Sequence, residues 1–129
     1  MNYRQTTQVP NCVFDQYMPH LKEAELKVLM VIIRQTYGWI DKNTGMRKTR
    51  DWISHRQFEV KTGLSRRSIS DALQSLVARR LVEISDPAGR SLVSSRQRSG
   101  KVQTCYGFIP PVQYQKDSLG LAIQEMYPR

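Results

Sequence analysis

The stretch from Ser54 to Arg79 constrains this chain more than any other. It opens on Ser54-His55-Arg56-Gln57, a Ser-x-x-Gln pattern that fits a capping box. In that device the Ser54 hydroxyl accepts from the Gln57 backbone N–H, and the Gln57 side chain reaches back to Ser54. A short helix over residues 55–61 is predicted, with Phe58 turned inward. Thr62-Gly63-Leu64-Ser65 follows. Gly63 can take positive φ and stop the helix, Leu64 plugs the angle between two helices, and Ser65 caps the next one. That next helix, residues 66–79, sets Ile69, Leu73 and Leu76 at i, i+4 and i+7, the spacing of one buried face, with Ala72 and Val77 beside them. A turn this tight locks two helices at a steep angle and projects the first turn of the second.

The flanking segments complete the pattern. Residues 22–37 read as a central helix: Leu26, Leu29 and Ile33 share a face, and the run from Val28 to Ile33 is apolar all round. Its β-branched content would also suit a strand, but its length and Gly38 beyond its end favour helix. Residues 39–50 read as a loop turning at Asn43-Thr44-Gly45, and Trp52 and Ile53 as a short strand. Residues 81–85 alternate apolar and polar like a strand. Residues 94–101 read as a polar basic loop. Residues 102–109 read as a second strand with Tyr106 and Phe108 on one face, ended by Pro110 and Pro111. The fold class is therefore α+β, mainly α with a small β-hairpin: a winged helix-turn-helix. The expected division is an N-terminal arm (1–20), a winged-helix domain (21–109) and an extension (110–129) with a weak helix over 119–126. Within the arm, Val13, Phe14, Tyr17 and Met18 are spaced for one helical turn lying on the core.

Charge now has a place to go. The 129 residues carry a formal net charge of +9. Residues 47–67 hold +5 of it and residues 79–101 hold +4, while 1–46, 68–78 and 102–129 stand at +1, −1 and zero. Scattered solubilising charge would not segregate this way. The two basic segments lead into the second helix of the motif and include the hairpin loop, so an anionic partner is expected, with nucleic acid first.

An α-helix fits the major groove, and its N-terminal backbone N–H groups favour phosphate. The candidate recognition helix begins Ser65-Arg66-Arg67-Ser68. Arginine can donate two hydrogen bonds to guanine, and serine can bond a base or a phosphate. Arg66 and Arg67 stand where positive charge opposes the helix dipole, which an anionic partner would explain. Ser70, Asp71 and Gln74 continue the outward face toward bases or sugars. Arg96, Arg98 and Lys101 form the expected wing tip. Arg47, Lys48 and Arg50 read equally as phosphate contacts or as solubilising charge. Trp39, Trp52, Tyr106 and Phe108 could stack on single-stranded bases, but their spacing favours core packing.

Other classes lack their residues. The longest apolar run is six residues, against about 20 for a membrane span. No phosphate-loop pattern occurs. His20, His55, Cys12 and Cys105 show no zinc spacing, and His55 reads as a surface residue. The cysteines read as reduced thiols, a single bridge being the alternative. No catalytic constellation, metal or cofactor is expected.

Several strings carry a family resemblance: Val9-Pro10-Asn11, residues 21–29, Ile33-Arg34-Gln35-Thr36-Tyr37-Gly38-Trp39, residues 62–70 and residues 72–77. Over roughly residues 8–85 the chain resembles the N-terminal domain of phage replication protein O. The resemblance implies a winged helix that binds repeated sites on double-stranded DNA at a replication origin, a homodimer being expected on such repeats. It also implies a replicative helicase or helicase loader as partner, and action in the host cytoplasm at the nucleoid. In one departure, Lys22 stands where such sequences usually offer a Ser or Thr cap. The sequence given ends at Arg129, before the C-terminal part with which family members generally engage the helicase machinery. A winged-helix transcriptional regulator and a protein-interaction module remain as alternatives, since fold alone does not choose among them.

Overall fold

Helix α1 (Glu23–Thr36) is the element around which the rest is built. Val28, Leu29, Ile32 and Ile33 have no exposed surface, and only Met30 within the apolar run is half-exposed. The computed structural model describes residues 5–92, 95–98 and 103–110. Among them follow β1 (Asp51–Trp52), α2 (His55–Thr62), α3 (Arg66–Ala78), β2 (Val82–Ser85), α4 (Ser95–Arg98) and β3 (Cys105–Phe108). The strands form an antiparallel sheet in the order β1-β3-β2. The strand before the helix-turn-helix thus joins the hairpin that follows it, which is the winged-helix arrangement.

The start of α1 shows how the chain manages without a hydroxyl cap. Lys22 offers no acceptor, so only half of a capping box forms: its backbone N–H donates to Glu25 Oε1 at 2.7 Å. The other Glu25 oxygen accepts from the Ser75 hydroxyl on α3 and pairs with Arg79 Nε at 3.5 Å. Burial alone would raise the carboxyl's pKa. The Ser75 and Lys22 hydrogen bonds, with the Arg79 charge, bring it net below the ordinary value. One buried carboxylate therefore ties α1 to α3.

The turn between α2 and α3 forms as its residues dictate. Ser54 Oγ accepts from Gln57 N–H at 3.1 Å and Gln57 Oε1 accepts from Ser54 N–H at 2.8 Å. Gly63 has φ 73° and closes α2. Thr62 Oγ1 donates back to Phe58 O at 2.6 Å and accepts from Leu64 N–H at 3.2 Å, so this buried hydroxyl is satisfied twice and braces the turn. Leu64 packs half-buried against the core.

Phe58, Ile69, Leu73, Leu76, Ile84 and Tyr106 join the α1 residues in one core. Opposed pairs Val82–Phe108 and Ile84–Tyr106 put four buried side chains on the inner face of the sheet. Gly107 sits where Thr49 O passes: a Cβ there would lie 2.5 Å from that oxygen.

Some expectations need correction. Trp39 and Trp52 are 49% and 47% exposed and are not core residues. Trp39 lies on the loop after α1 with the Arg34 guanidinium 5.3 Å above its ring, and Trp52 sits opposite Cys105 on an edge strand. Their spacing favoured core packing, but among the described residues no element covers them. The arm's helical turn exists, as a π turn (Val13–Tyr17) and a 3-10 turn (Met18–His20). It buries Val13 and partly Tyr17 while Phe14 and Met18 face outward, because a π turn shifts the spacing of a face. Cys12 is buried in the core and Cys105 is half-buried, both as free thiols. The stretch expected as a loop over 94–101 contains the helical turn α4, too short to leave a periodic signature. The expected helix over 119–126 and Lys101 lie outside the described residues.

Candidate nucleic-acid interface

Helix α3 begins with an N-cap that is fully formed. Ser65 Oγ accepts from Ser68 N–H at 3.1 Å and donates to Ser68 Oγ at 3.0 Å. Both serines therefore work in the cap. Arg66 and Arg67 are exposed, and no acidic residue lies in the first turn. The open end of the helix dipole and two guanidinium groups add to one positive field. Consecutive helical residues diverge by about 100°. Arg67 accordingly shares the outward face with Asp71 and Gln74, opposite buried Ile69 and Leu76, with half-buried Ser70 at its margin. Arg66 lies about 100° round the helix from Arg67, and its charge lowers the pKa of His55 at the start of α2, after burial.

The cations of residues 47–50 are tied into the protein, and one of them reaches the root of the wing. Arg47 donates to Tyr37 O at 2.6 Å and to Gln8 Oε1. Lys48 pairs with Asp51 at 3.5 Å, both side chains about a third exposed. Arg50 reaches across to the end of β2, with contacts of 3.0 Å to Ser85 Oγ, 3.4 Å to Asp86 O and 3.3 Å to Pro87 O. The partners of Arg47 and Arg50 lie 10 to 39 residues away in sequence, so nothing in the local pattern announced them. The structure gives Arg47 and Arg50 scaffolding work and leaves Arg66 and Arg67 projecting.

In the wing, Asp86 organises the first turn. Its carboxylate accepts from Arg90 N–H and Arg90 Nε, both at 2.8 Å. The Arg90 backbone bond, ahead of a smaller opposing effect of burial, holds its pKa low. Arg96 on α4 is exposed, while Arg98 is half-buried. Burial lowers the Arg98 pKa, and neighbouring Tyr106 opposes that. Tyr106 itself is pushed up to about 12, chiefly by burial.

His55 is the residue that sequence reasoning missed. It is half-buried rather than a surface residue, and its Nδ1 is buried without a hydrogen-bond partner. Burial lowers its pKa, Arg66 and Arg98 lower it further, and Glu59 opposes them. No sequence signal marks it. Among the described residues no group of three His, Cys, Asp or Glu side chains could hold a metal ion. Nor, among them, is any helix long and apolar enough to cross a membrane.

The helix-turn-helix, the strand shared with the hairpin and the exposed cationic start of α3 define a winged helix-turn-helix protein. Within that class the chain belongs to the bacteriophage replication protein O family, whose model matches residues 5–95. This membership sets it among proteins of phage DNA replication. No curated protein and no solved structure matches it.

Proposed function

We propose that this chain is a sequence-specific double-stranded DNA-binding protein that recognises a phage replication origin, without a reaction of its own. The observation that carries the reading is the start of α3: a capped helix end that presents Arg66 and Arg67 to solvent with no acid in its first turn. In the major groove, Arg67 with Ser70, Asp71 and Gln74 would meet base edges. Ser65 and Ser68 would present the helix start to a phosphate. Arg96 and Arg98, with Lys101, would meet the adjoining backbone through the wing. Arg50 holds the wing's root, and Arg47 and Lys48 add positive field beside it. Membership in a phage replication family favours an origin over a promoter as the target. A helicase or helicase loader is the partner this role needs, and a homodimer suits repeated sites. Such a protein works at the nucleoid in the host cytoplasm.

The test is selection of bound fragments from the genome that encodes the chain. The reading predicts a repeated sequence enriched within one short region. Recovery without sequence preference would overturn it, and enrichment confined to promoters would replace it with the regulator reading.

A further inference from the structure

Trp39 is 49% exposed, and among the described residues no element covers it, yet it is firmly held. The Arg34 guanidinium lies over its ring, 5.3 Å from the centroid. Gly38 permits that approach: a Cβ there would collide with the Arg34 carbonyl oxygen and come within 3.0 Å of Arg34 Nη1. From Trp39 the chain runs into a small antiparallel turn over residues 39–48. Asp41 N–H donates to Met46 O at 2.7 Å and Lys48 N–H to Trp39 O at 3.0 Å, on either side of the bridge between Ile40 and Arg47. Arg47 ties this turn to the end of α1 through Tyr37 O, at 2.6 Å. Trp39 therefore stands opposite Lys48 on one face of the turn, with Ile40 and Arg47 on the other. Residues 34–48 carry four cations, Arg34, Lys42, Arg47 and Lys48, against one carboxylate. That carboxylate, Asp41, is engaged by Asn43 N–H at 2.8 Å.

We propose that Trp39, backed by Arg34, is a stacking platform for a base of unpaired DNA, with Lys48 beside it for the phosphate of that strand. The chemistry of the patch selects this occupant. An indole ring offers any base a π surface, and stacking on it tolerates every sequence. The guanidinium takes one face of the ring and leaves the other for a base. Within a duplex both faces of a base are stacked on its neighbours, so an unpaired strand is what presents one. The excess of positive charge around the ring suits a phosphate chain. Lys48 pairs with Asp51 at 3.5 Å and is about a third exposed, so a phosphate can share it. Arg34 is a positioning residue that fixes the plane of the ring. DNA replication, the process of this family, exposes single strands. The platform uses none of the α3 residues and does not rest on the duplex reading above.

Trp52→Phe leaves Trp39 the only tryptophan of the full chain, so its emission reports on the platform directly. Titration of that variant with oligo(dT), a strand without secondary structure, should quench the emission to saturation. Anisotropy of labelled oligo(dT) gives the affinity. Trp39→Ala should lower it by about 5- to 150-fold, Trp39→Phe by less, and Trp52→Phe not at all. All three variants should bind a random-sequence duplex as the unaltered chain does. Oligo(dT) that fails to bind, or binds without changing the emission, would overturn the platform and leave the duplex reading intact. So would an oligo(dT) affinity that Trp39→Ala leaves unchanged. Equal quenching by the duplex, or equal loss of both affinities in Trp39→Ala, would overturn it likewise. Should Trp39→Ala fail to fold, the quenching titration on Trp52→Phe decides alone. Quenching by oligo(dT) in a chain that binds no duplex would uphold the platform and sink the reading of α3.

Discussion

Phe58 on α2 and Tyr106 on β3 meet edge to face, with ring centroids 5.1 Å apart and planes crossing at 82°. Both side chains are almost fully buried. Phe58 sits one turn before the helix-turn-helix corner, and Tyr106 backs Arg98 of the wing. The pair is thus a joint that fixes the two projecting parts of the motif relative to one another.

Phe58→Ala should remove that joint and leave a cavity, lowering the free energy of unfolding by about 3–5 kcal/mol. Urea unfolding measures it. A loss under about 1 kcal/mol would mean that the site collapses freely and that the ring pair is not a joint.

Glu25 should give the chain a marked acid sensitivity. Its folded-state pKa lies below the ordinary 4.5, so the unfolded chain binds a proton more readily than the folded one. The resulting stabilisation is full above about pH 4.5 and is lost as pH falls through the lower, folded value. Glu25→Gln should cost about 1–3 kcal/mol at neutral pH, since a charged acceptor of three donors is replaced. It should also flatten the dependence of Tm on pH below 4.5. An unchanged acid limb would show that Glu25 does not link α1 to α3 through its charge.

Two backbone positions should respond in opposite directions. Arg80 has φ 59° and occupies the left-handed position after α3, with Arg80 N–H to Val77 O and Leu81 N–H to Leu76 O both at 3.0 Å. Glycine takes that position with less strain, so Arg80→Gly should stabilise by about 0.5–1 kcal/mol. At Gly107 an added Cβ meets Thr49 O, so Gly107→Ala should destabilise by about 1–3 kcal/mol. Thermal unfolding of both variants checks the signs.

The arginines should separate into scaffold and interface. Arg50→Ala should lower stability by about 1–2 kcal/mol, because it strips the end of β2 of its cross-links. Arg67→Ala should leave stability within about 0.5 kcal/mol. On the selected site it should lose about 1–3 kcal/mol of binding and relax one base position. If the two variants trade these effects, the roles assigned here are reversed.

Much of this was written locally in the chain. The capping box at Ser54, the stop at Gly63, the cap at Ser65 and the faces of α1 and α3 each depend on residues within one or two turns, and all form as their spacing requires. What was not legible depends on distant partners. Arg50 finds its acceptors 35 to 37 residues away, and Arg47 bonds Gln8, 39 residues away. Trp39 and Trp52 are exposed because, among the described residues, the topology puts nothing over them, which a hydrophobicity pattern does not encode. At the interface, sequence marked the start of α3 but not the difference between Arg66 and Arg67, which follows from where α2 begins.

The central claim is that the projecting cations bind duplex DNA, and equilibrium binding across a salt series tests it most directly. Neutralising about six phosphates predicts a log–log slope near −5 for the full chain on duplex DNA, reduced by about 1 when Arg66 and Arg67 are both alanine, since Arg67 meets a base and not a phosphate. A flat response to salt, or a slope that the double variant leaves unchanged, would contradict it.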